Sequence, residues 1–530
     1  MRKYEFLYQN LDDFIIVDKA NGFRTHKVSD SGLGLQLGLV ETLSELLQIP
    51  LYVVHRLDKE TSGVLCLAKS PQAALAISEL FLQQKVKKTY FFLTDRKIKK
   101  TSREETIVVE SCIEKIGAHF ENILQKEPNS KTKFRFIQSH GKYELWQAQP
   151  LTGKPHQIRL HALKLQIPIL GDTEHGGSPY HRLALHAAEL EFELHGFRSI
   201  FKSELPPSFT KNLSPLTALL EDSWHRLHNF LKINSQQCYR LIHDLRSDIQ
   251  ADVYGPTLWI YWYRDLSPTH AELMDIEKFA SEKKLKSVLR HMVNRGQGVG
   301  SQQSTDLFKS SDQPEQWTAY ENTSQFQLRT DAGFSPGLFL DQSENRQWVF
   351  QNSENKKVLN LFSYTSGFSV AAALGKAASV TSVDASPRFM EWSKENFKLN
   401  DLDPDAFEFF VQDVLLFLKG SMKRERKWDL IICDPPSFGR TKTTTWKIDK
   451  NIDELIRLMW NCLEPHGRIL FTCNYEKWNF FDLEKKFREN LKGQPFEILP
   501  LPLKPLDFEL TDSYQNLTKG LFVIKHKADG

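Results

Sequence analysis

The sequence predicts a multidomain protein that combines α+β and α/β architecture and ends in a Rossmann-like, doubly wound sheet. Three observations carry this prediction. At 530 residues the chain holds three or four domains of roughly 150 residues each. Short strand-like runs dominate up to about residue 200, interrupted by turn residues. From Val358 onward strands alternate with helices, the pattern of a parallel sheet covered on both faces.

The elements follow in order. Phe14–Val17, Tyr52–Val54, Val64–Leu67, Thr89–Leu93 and Tyr143–Ala148 read as strands of a first unit, residues 1–215. Turn residues from Leu205-Pro206-Pro207 to Ser214-Pro215 precede a helix over Leu216–Leu231, so 216–235 is expected to be a linker helix. A small β-rich α+β subdomain is expected over 236–335, with strands near Cys238–Ile242 and Thr257–Tyr263 and a helix near His270–Lys284. Over 336–530 the expected strands are Val358–Phe362, Val380–Asp384, Phe407–Asp413, Trp428–Asp434 and Arg468–Asn474, with helices such as Pro387–Asn400 and Ile452–Cys462 between them.

Composition narrows the function classes. Forty per cent hydrophobic and 25% charged residues are ordinary for globular proteins. No run of 18 apolar residues occurs, so no membrane partner is expected. The start, Met1-Arg2-Lys3-Tyr4-Glu5, lacks an apolar signal region, and the expected location is cytoplasmic. Six cysteines never form a Cys-x-x-Cys pair, which argues against a disulfide framework and a zinc ribbon; no metal is expected. The net charge of +3 does not announce a nucleic-acid binder. Locally, though, Lys85 to Arg103 holds eight Lys/Arg (85, 87, 88, 96, 97, 99, 100, 103) against Asp95. That run fits a phosphate backbone or a solvated hairpin.

Two constellations carry chemistry. In the first, His55-Arg56-Leu57-Asp58-Lys59-Glu60-Thr61-Ser62-Gly63 lies between two apolar runs. A second cluster, Gly153-Lys154-Pro155-His156-Gln157-Ile158-Arg159-Leu160-His161, concentrates donors beyond what a core element needs, and Pro168-Ile169-Leu170-Gly171-Asp172 follows it. With Asp13–Lys19, Lys88-Thr89-Tyr90 and Leu185-His186-Ala187, these segments resemble the RluA-type RNA pseudouridine synthases over roughly residues 5–200. Two departures, Lys19-Ala20-Asn21-Gly22 and Gly153-Lys154-Pro155-His156-Gln157, leave the catalytic set untouched.

The resemblance implies a mixed, mainly antiparallel sheet domain that isomerises uridine in RNA without a cofactor. Asp58 would act at the sugar as nucleophile or electrostatic stabiliser, with Arg159 as the guanidinium that keeps it charged. Tyr90 would stack on the uracil and serve as a proton acceptor. Arg56 would fill the space left by the flipped-out nucleotide, while His55, His156, Lys87 and Lys88 are expected at the RNA.

In the second constellation, Val358–Gly367 is an apolar strand turning through a glycine-containing loop into a small-residue helix. Such a unit exposes helix amides to a ligand. Asp384 ends the next strand, 17 residues after Gly367, where a carboxylate can accept ribose hydroxyls. Asp413 and Asp434 end the third and fourth strands. The segments Gly337–Arg346, Asn360–Ser369, Val383–Ser386 with Glu391-Trp392, and Asp434-Pro435-Pro436-Ser437-Phe438 resemble class I S-adenosylmethionine-dependent ribosomal RNA methyltransferases of the RlmI/RlmK type.

The resemblance implies S-adenosyl-L-methionine as cofactor, held by Asn360, Phe362, Tyr364, Thr365, Gly367, Asp384, Asp413 and Asp434, with Asp434 also catalytic. Where that family has Tyr-Thr-Gly, this chain has Tyr364-Thr365-Ser366-Gly367. Both halves then point to RNA as partner, large-subunit ribosomal RNA first and tRNA second. A purine nitrogen is the first expected methyl acceptor. The alternatives are cytosine C5 through a Cys473 thiolate, a protein amide, or a chain in which one half is an inactive RNA anchor.

Overall fold

A computed structural model describes residues 4–6, 8–30, 34–36, 38–97, 105–123, 125–244, 248–294, 302–440, 445–501, 507–508 and 519–527. Lys99, Lys100 and Arg103 of the basic run lie outside the described residues.

The first sheet is mixed and mainly antiparallel. Its central order is Tyr143–Pro150, Lys87–Thr94, Leu185–Leu194, Ser62–Ala68, Phe14–Lys19. Only the pairing of Leu185–Leu194 with Ser62–Ala68 is parallel among these neighbours. Ser62–Ala68 is buried at every position, as befits an apolar strand in the middle of a sheet covered on both faces. Gly63, second in that strand, has φ +112°, and a Cβ there would stand 2.2 Å from the Ala187 carbonyl oxygen. The close approach requires glycine, which explains the last letter of the Thr61-Ser62-Gly63 motif. His55–Thr61 is the loop entering the strand.

Helix Pro215–Phe230 starts where the sequence places it, with Ser214 as N-cap and Pro215 in the first turn. It is no free linker. Leu216, Leu219, Leu220, Leu227 and Phe230 join one continuous core with Ile15, Val17, Leu65 and Leu67 of the first sheet and Leu241, Ile260 and Phe279 of the next subdomain. An amphipathic stripe that wide must be covered, and sheets on both sides cover it. The following strand, Leu231–Ile233, pairs back with Tyr4–Phe6.

The subdomain is a five-stranded sheet, Cys238–Asp244, Ile249–Tyr254, Thr257–Trp262, Lys286–Asn294, Gln302–Lys309. Helix His270–Glu282 is the crossover between the parallel strands Thr257–Trp262 and Lys286–Asn294.

The last sheet has seven strands in the order Glu408–Val411, Ser379–Asp384, Lys357–Leu361, Trp428–Cys433, Leu463–Cys473, Lys519–Lys525, Phe496–Pro500. The first five are parallel, and Lys519–Lys525 inserts antiparallel between the fifth strand and Phe496–Pro500. Strand order reverses beside Lys357–Leu361, which puts the ligand crevice at the carboxyl edge of that strand and its neighbours. No helix among the described residues is long and apolar enough to cross a membrane.

Candidate active sites

The first site is a cleft of about 820 Å³ lined by Asp58, Arg56, Tyr90, Lys88, His156 and Arg159, among others. Its loop is braced from beneath. The fully buried Lys19 donates to the carbonyls of Ala20 (3.0 Å), Phe23 (2.8 Å) and Lys59 (3.0 Å). Burial pulls the pKa of Lys19 down to about 7, but three acceptors match the three N–H bonds of an ammonium. Thr25 donates to the Leu57 carbonyl (2.9 Å), and the Gly22 amide donates to that of Lys59 (2.9 Å). Asp58 thus sits on a fixed backbone, partly exposed, facing the cleft.

Several expectations are corrected by these contacts. Arg159 does not pair with Asp58 by hydrogen bonds. Its Nε and Nη2 donate to the two oxygens of buried Asp172 (2.8 and 2.6 Å), and Nη2 also reaches Glu174 (2.8 Å). Asp58 is still near enough to help hold the guanidinium charged.

Tyr90 lines the cleft, but burial and then Asp58 raise its pKa, so the phenol is neutral and enters the site as a ring and a donor. His55 spends its ring on the protein: Nε2 accepts from the Cys66 amide (3.0 Å), and the ring stacks on Phe81 at 4.7 Å. Burial, then Lys88, lowers its pKa to about 3, consistent with a neutral acceptor nitrogen.

Strand parity separates the two lysines. Lys88 shares the cleft face with Tyr90 and donates to the Thr152 carbonyl (2.9 Å), with burial lowering its pKa to about 8. Lys87 points to the other face and pairs with Glu191 at 3.2 Å. Arg56 is exposed at the cleft. His156 caps helix Gln157–Lys164 in the left-handed region, φ 53°, with Nδ1 3.1 Å from Nε2 of His175. Glu174 completes a His156–Glu174–His175 cluster whose ligand-type atoms lie within 4.8 Å of one another, and Arg159 and His119 already claim its carboxylate. The Thr61 hydroxyl, buried and lining the same cleft, has no hydrogen-bond partner among the described residues. Its motif was visible in the sequence; its orphan state was not.

The second site lies at the carboxyl edge of the parallel strands. Asp384 accepts from the Tyr364 amide (3.0 Å) and the Ser386 amide (2.8 Å), one on each oxygen. Burial raises its pKa, and those backbone donors work against the rise. The loop above it passes through Phe362, Tyr364 and Ser366, all non-glycine residues at φ 50–61°. Ser366 takes the left-handed N-cap of helix Gly367–Leu374, a backbone state that favours glycine. Its hydroxyl donates to Ser393 (2.7 Å).

Not every residue of this loop faces a ligand. Asn360 is buried and donates to Ser369 (2.9 Å); Thr365 is buried and donates to the Gly337 carbonyl (2.6 Å). Both were expected at the cofactor, and both side chains are used inside the fold. Phe362 packs on Trp446 at 4.8 Å. Gly367 leaves room for Arg346 and Leu338, whose atoms would lie 3.3 and 3.4 Å from a Cβ. Asp413 caps helix Val414–Lys423 through the Leu416 amide (3.1 Å).

The crevice suits a nucleoside-bearing cofactor. The buried Ser363 hydroxyl lacks a partner in the loop itself, and the Asp384 carboxylate, partly exposed, keeps lone pairs beyond its two backbone bonds. Asp434 accepts from Thr472 (2.6 Å), and burial pushes its pKa up to about 6. Cys473 and Cys433 are fully buried; burial raises the Cys473 thiol to about 11 and Cys433 well above its usual value. A buried thiol that keeps its proton is a poor nucleophile, which counts against the cytosine-C5 alternative.

Fold and sites together define a two-centre protein, with a carboxylate cleft on a mixed sheet followed by a nucleotide-type crevice on a doubly wound one. Residues 13–164 match the family described as RNA pseudouridylate synthase, and residues 264–504 match the S-adenosylmethionine-dependent methyltransferases. The chain therefore joins a domain of each family.

Among curated proteins it is similar to the ribosomal RNA large subunit methyltransferase K/L of Pseudoalteromonas atlantica, 35% identical over 260 residues, which is 48% of this chain and 36% of that relative. The protein of the same name from Shewanella sp. (strain MR-4) is 38% identical over 186 residues, 34% of this chain and 26% of the relative. The chain thus spans about a third, or less, of the length of these relatives. A solved Streptococcus mutans protein assigned to the SAM-dependent methyltransferases aligns with a TM-score of 0.50 at 24% identity, covering 64% of this chain and 88% of that one, a likeness of fold.

Proposed function

We propose that this chain is a bifunctional RNA-modifying enzyme of the cytoplasm, isomerising uridine to pseudouridine in its first half and methylating an RNA base in its second. Residues 1–215 form the synthase, 236–335 a substrate-side subdomain, and 336–530 the methyltransferase. The observation that carries the reading is the convergence of Asp58, Tyr90 and Arg159 on one cleft, in a domain that matches pseudouridylate synthases.

Asp58 is the carboxylate acting at the sugar, Tyr90 the platform beneath the uracil, and Arg159 the fixed positive charge beside them. Arg56 and Lys88 meet the RNA, with His156 at the rim. In the second half, bound S-adenosylmethionine supplies an electrophilic methyl group. Asp384 receives its ribose, Tyr364 and the backbone of the 362–367 loop shape its pocket, and Asp434 orients the base.

The curated relatives carry names of ribosomal RNA methyltransferases, which favours large-subunit ribosomal RNA as substrate, with a purine nitrogen as methyl acceptor. Mapping pseudouridines and methylated bases in the ribosomal RNA and tRNA of a strain lacking this protein tests the proposal. Both kinds of modification should disappear at defined positions and return with the intact gene. Unchanged RNA at every position would reject it.

A further inference from the structure

We propose that Gln342 and Thr472 are positioning residues that hold Asp434 as a hydrogen-bond acceptor aimed at an N–H-bearing edge of the base to be methylated. This rests on the methyltransferase reading above.

The argument begins with the direction of each hydrogen bond. Thr472 Oγ1 donates to Asp434 Oδ1 at 2.6 Å, and Gln342 Nε2 donates to Oδ2 at 3.3 Å. Gln342 Nε2 also lies 3.3 Å from Thr472 Oγ1. A glutamine amide could face either way, but Asn345 Nδ2 donates to Gln342 Oε1 at 2.7 Å. The carboxylate itself, acceptor-only when ionised, requires the NH₂ end, and the Asn345 contact agrees with that orientation. Gln342 is 1% exposed, Asn345 7% and Thr472 0%. Three buried polar side chains are thus spent on the orientation of one acid.

The three come from separate parts of the chain. Gln342 ends the short turn Leu340–Gln342, and Asn345 lies in the first turn of helix Ser343–Asn352. Thr472 belongs to the strand Leu463–Cys473, where Phe471 is paired with Cys433, so Thr472 stands beside Asp434. Among the described residues, the donors that hold the carboxylate are both neutral. Arg346, the nearby cation, gives its guanidinium to Glu321 (2.6 and 2.7 Å) and the Phe339 carbonyl (2.7 Å).

The charged and titratable groups facing Asp434 are Asp341, which disfavours its ionised form, Arg346, which favours it from a distance, and the thiols of Cys433 and Cys473. Burial is the largest influence and acts against ionisation, while the Thr472 bond acts for it. With its protein side filled by donors, an ionised Asp434 can only accept from the substrate. A base edge carrying amino or imino N–H groups suits that position; an edge presenting only acceptors is repelled.

The test is methyl transfer by the full chain to ribosomal RNA from a strain lacking the protein, followed from pH 5 to 8. Wild-type activity should fall as pH drops through about 6, where Asp434 takes up its proton. In Thr472→Val the loss of one hydrogen bond to the charged form should move this acid limb up by about one pH unit. Thr472→Ser should restore it. Gln342→Leu should lower kcat by about tenfold with the affinity for S-adenosylmethionine unchanged.

An unmoved acid limb in Thr472→Val, or no rescue by serine, would overturn the positioning role. If wild type binds the cofactor yet methylates no RNA, the proposed function fails instead. Infrared titration of the Asp434 carboxyl, taken as wild type minus Asp434→Asn, then reads the same shift without turnover. Its absence in Thr472→Val overturns the inference.

Discussion

In the proposed sites Asp58 acts at a sugar and Asp384 receives a ribose, both stand partly shielded from water, and the chain supports them differently. Asp58 has a nearby cation in Arg159 and a braced backbone. Asp384 has two backbone amides, one to each oxygen. Asp58→Asn removes the charge at nearly constant shape and is expected to cut pseudouridine formation about 10³-fold or more. Methyl transfer should persist; loss of both, measured on the same RNA, would mean that the halves do not work independently. Asp384→Ala should weaken S-adenosylmethionine binding about 10- to 100-fold, since hydrogen bonds to a charged acceptor are lost. Calorimetric titration giving the wild-type affinity would remove Asp384 from the cofactor site. These residues were legible because each motif is contiguous in sequence. Their partners were not: Arg159 is satisfied by Asp172 and Glu174 from a following turn, and Thr472 meets Gln342 across 130 residues.

At the scale of elements, two motif positions are set by backbone geometry. Gly63→Ala would drive a methyl group into the Ala187 carbonyl at a positive φ. It is expected to cost about 3 kcal/mol or more, read as a lowered Tm together with lost pseudouridine formation. A stability close to wild type would show that the two strands can part there. Ser366 poses the opposite case. Its left-handed backbone favours glycine by about 1 kcal/mol, while its hydrogen bond to Ser393 is worth a similar amount. Ser366→Gly should therefore leave stability and cofactor binding nearly unchanged, and Ser366→Val should damage both. A large loss in Ser366→Gly would assign the hydroxyl a direct part in binding. Sequence pattern located the five parallel strands because apolar runs and helices alternate there. It was silent on Lys519–Lys525, whose antiparallel insertion depends on tertiary pairing with Leu463–Cys473. It also could not tell Lys87 from Lys88 until the strand's register put one on the cleft face and the other against Glu191.

At the scale of the whole molecule, the seam between the halves is a core. Arg226 on helix Pro215–Phe230 donates to the Leu241 carbonyl (2.9 Å), and Glu221 pairs with Lys283 at 2.9 Å, so the helix is tied to the subdomain. Asp222, on the same helix, accepts from His181, from the Ser208 hydroxyl and from the Ser208 amide on the synthase side. Punctuation by proline and serine suggested a linker, because turn residues mark where elements end and say nothing about what later covers them. A helix shared in this way couples the stability of its neighbours. Leu220→Ala, at a fully buried position, should cost about 2–5 kcal/mol. Heat inactivation of pseudouridine formation should then shift to lower temperature together with that of methyl transfer, since the first sheet and the subdomain lose packing at once. Asp58→Asn, by contrast, should leave the thermal midpoint of methyl transfer where it is. If Leu220→Ala lowers only the pseudouridine midpoint, the helix belongs to the synthase alone and the subdomain stands without it.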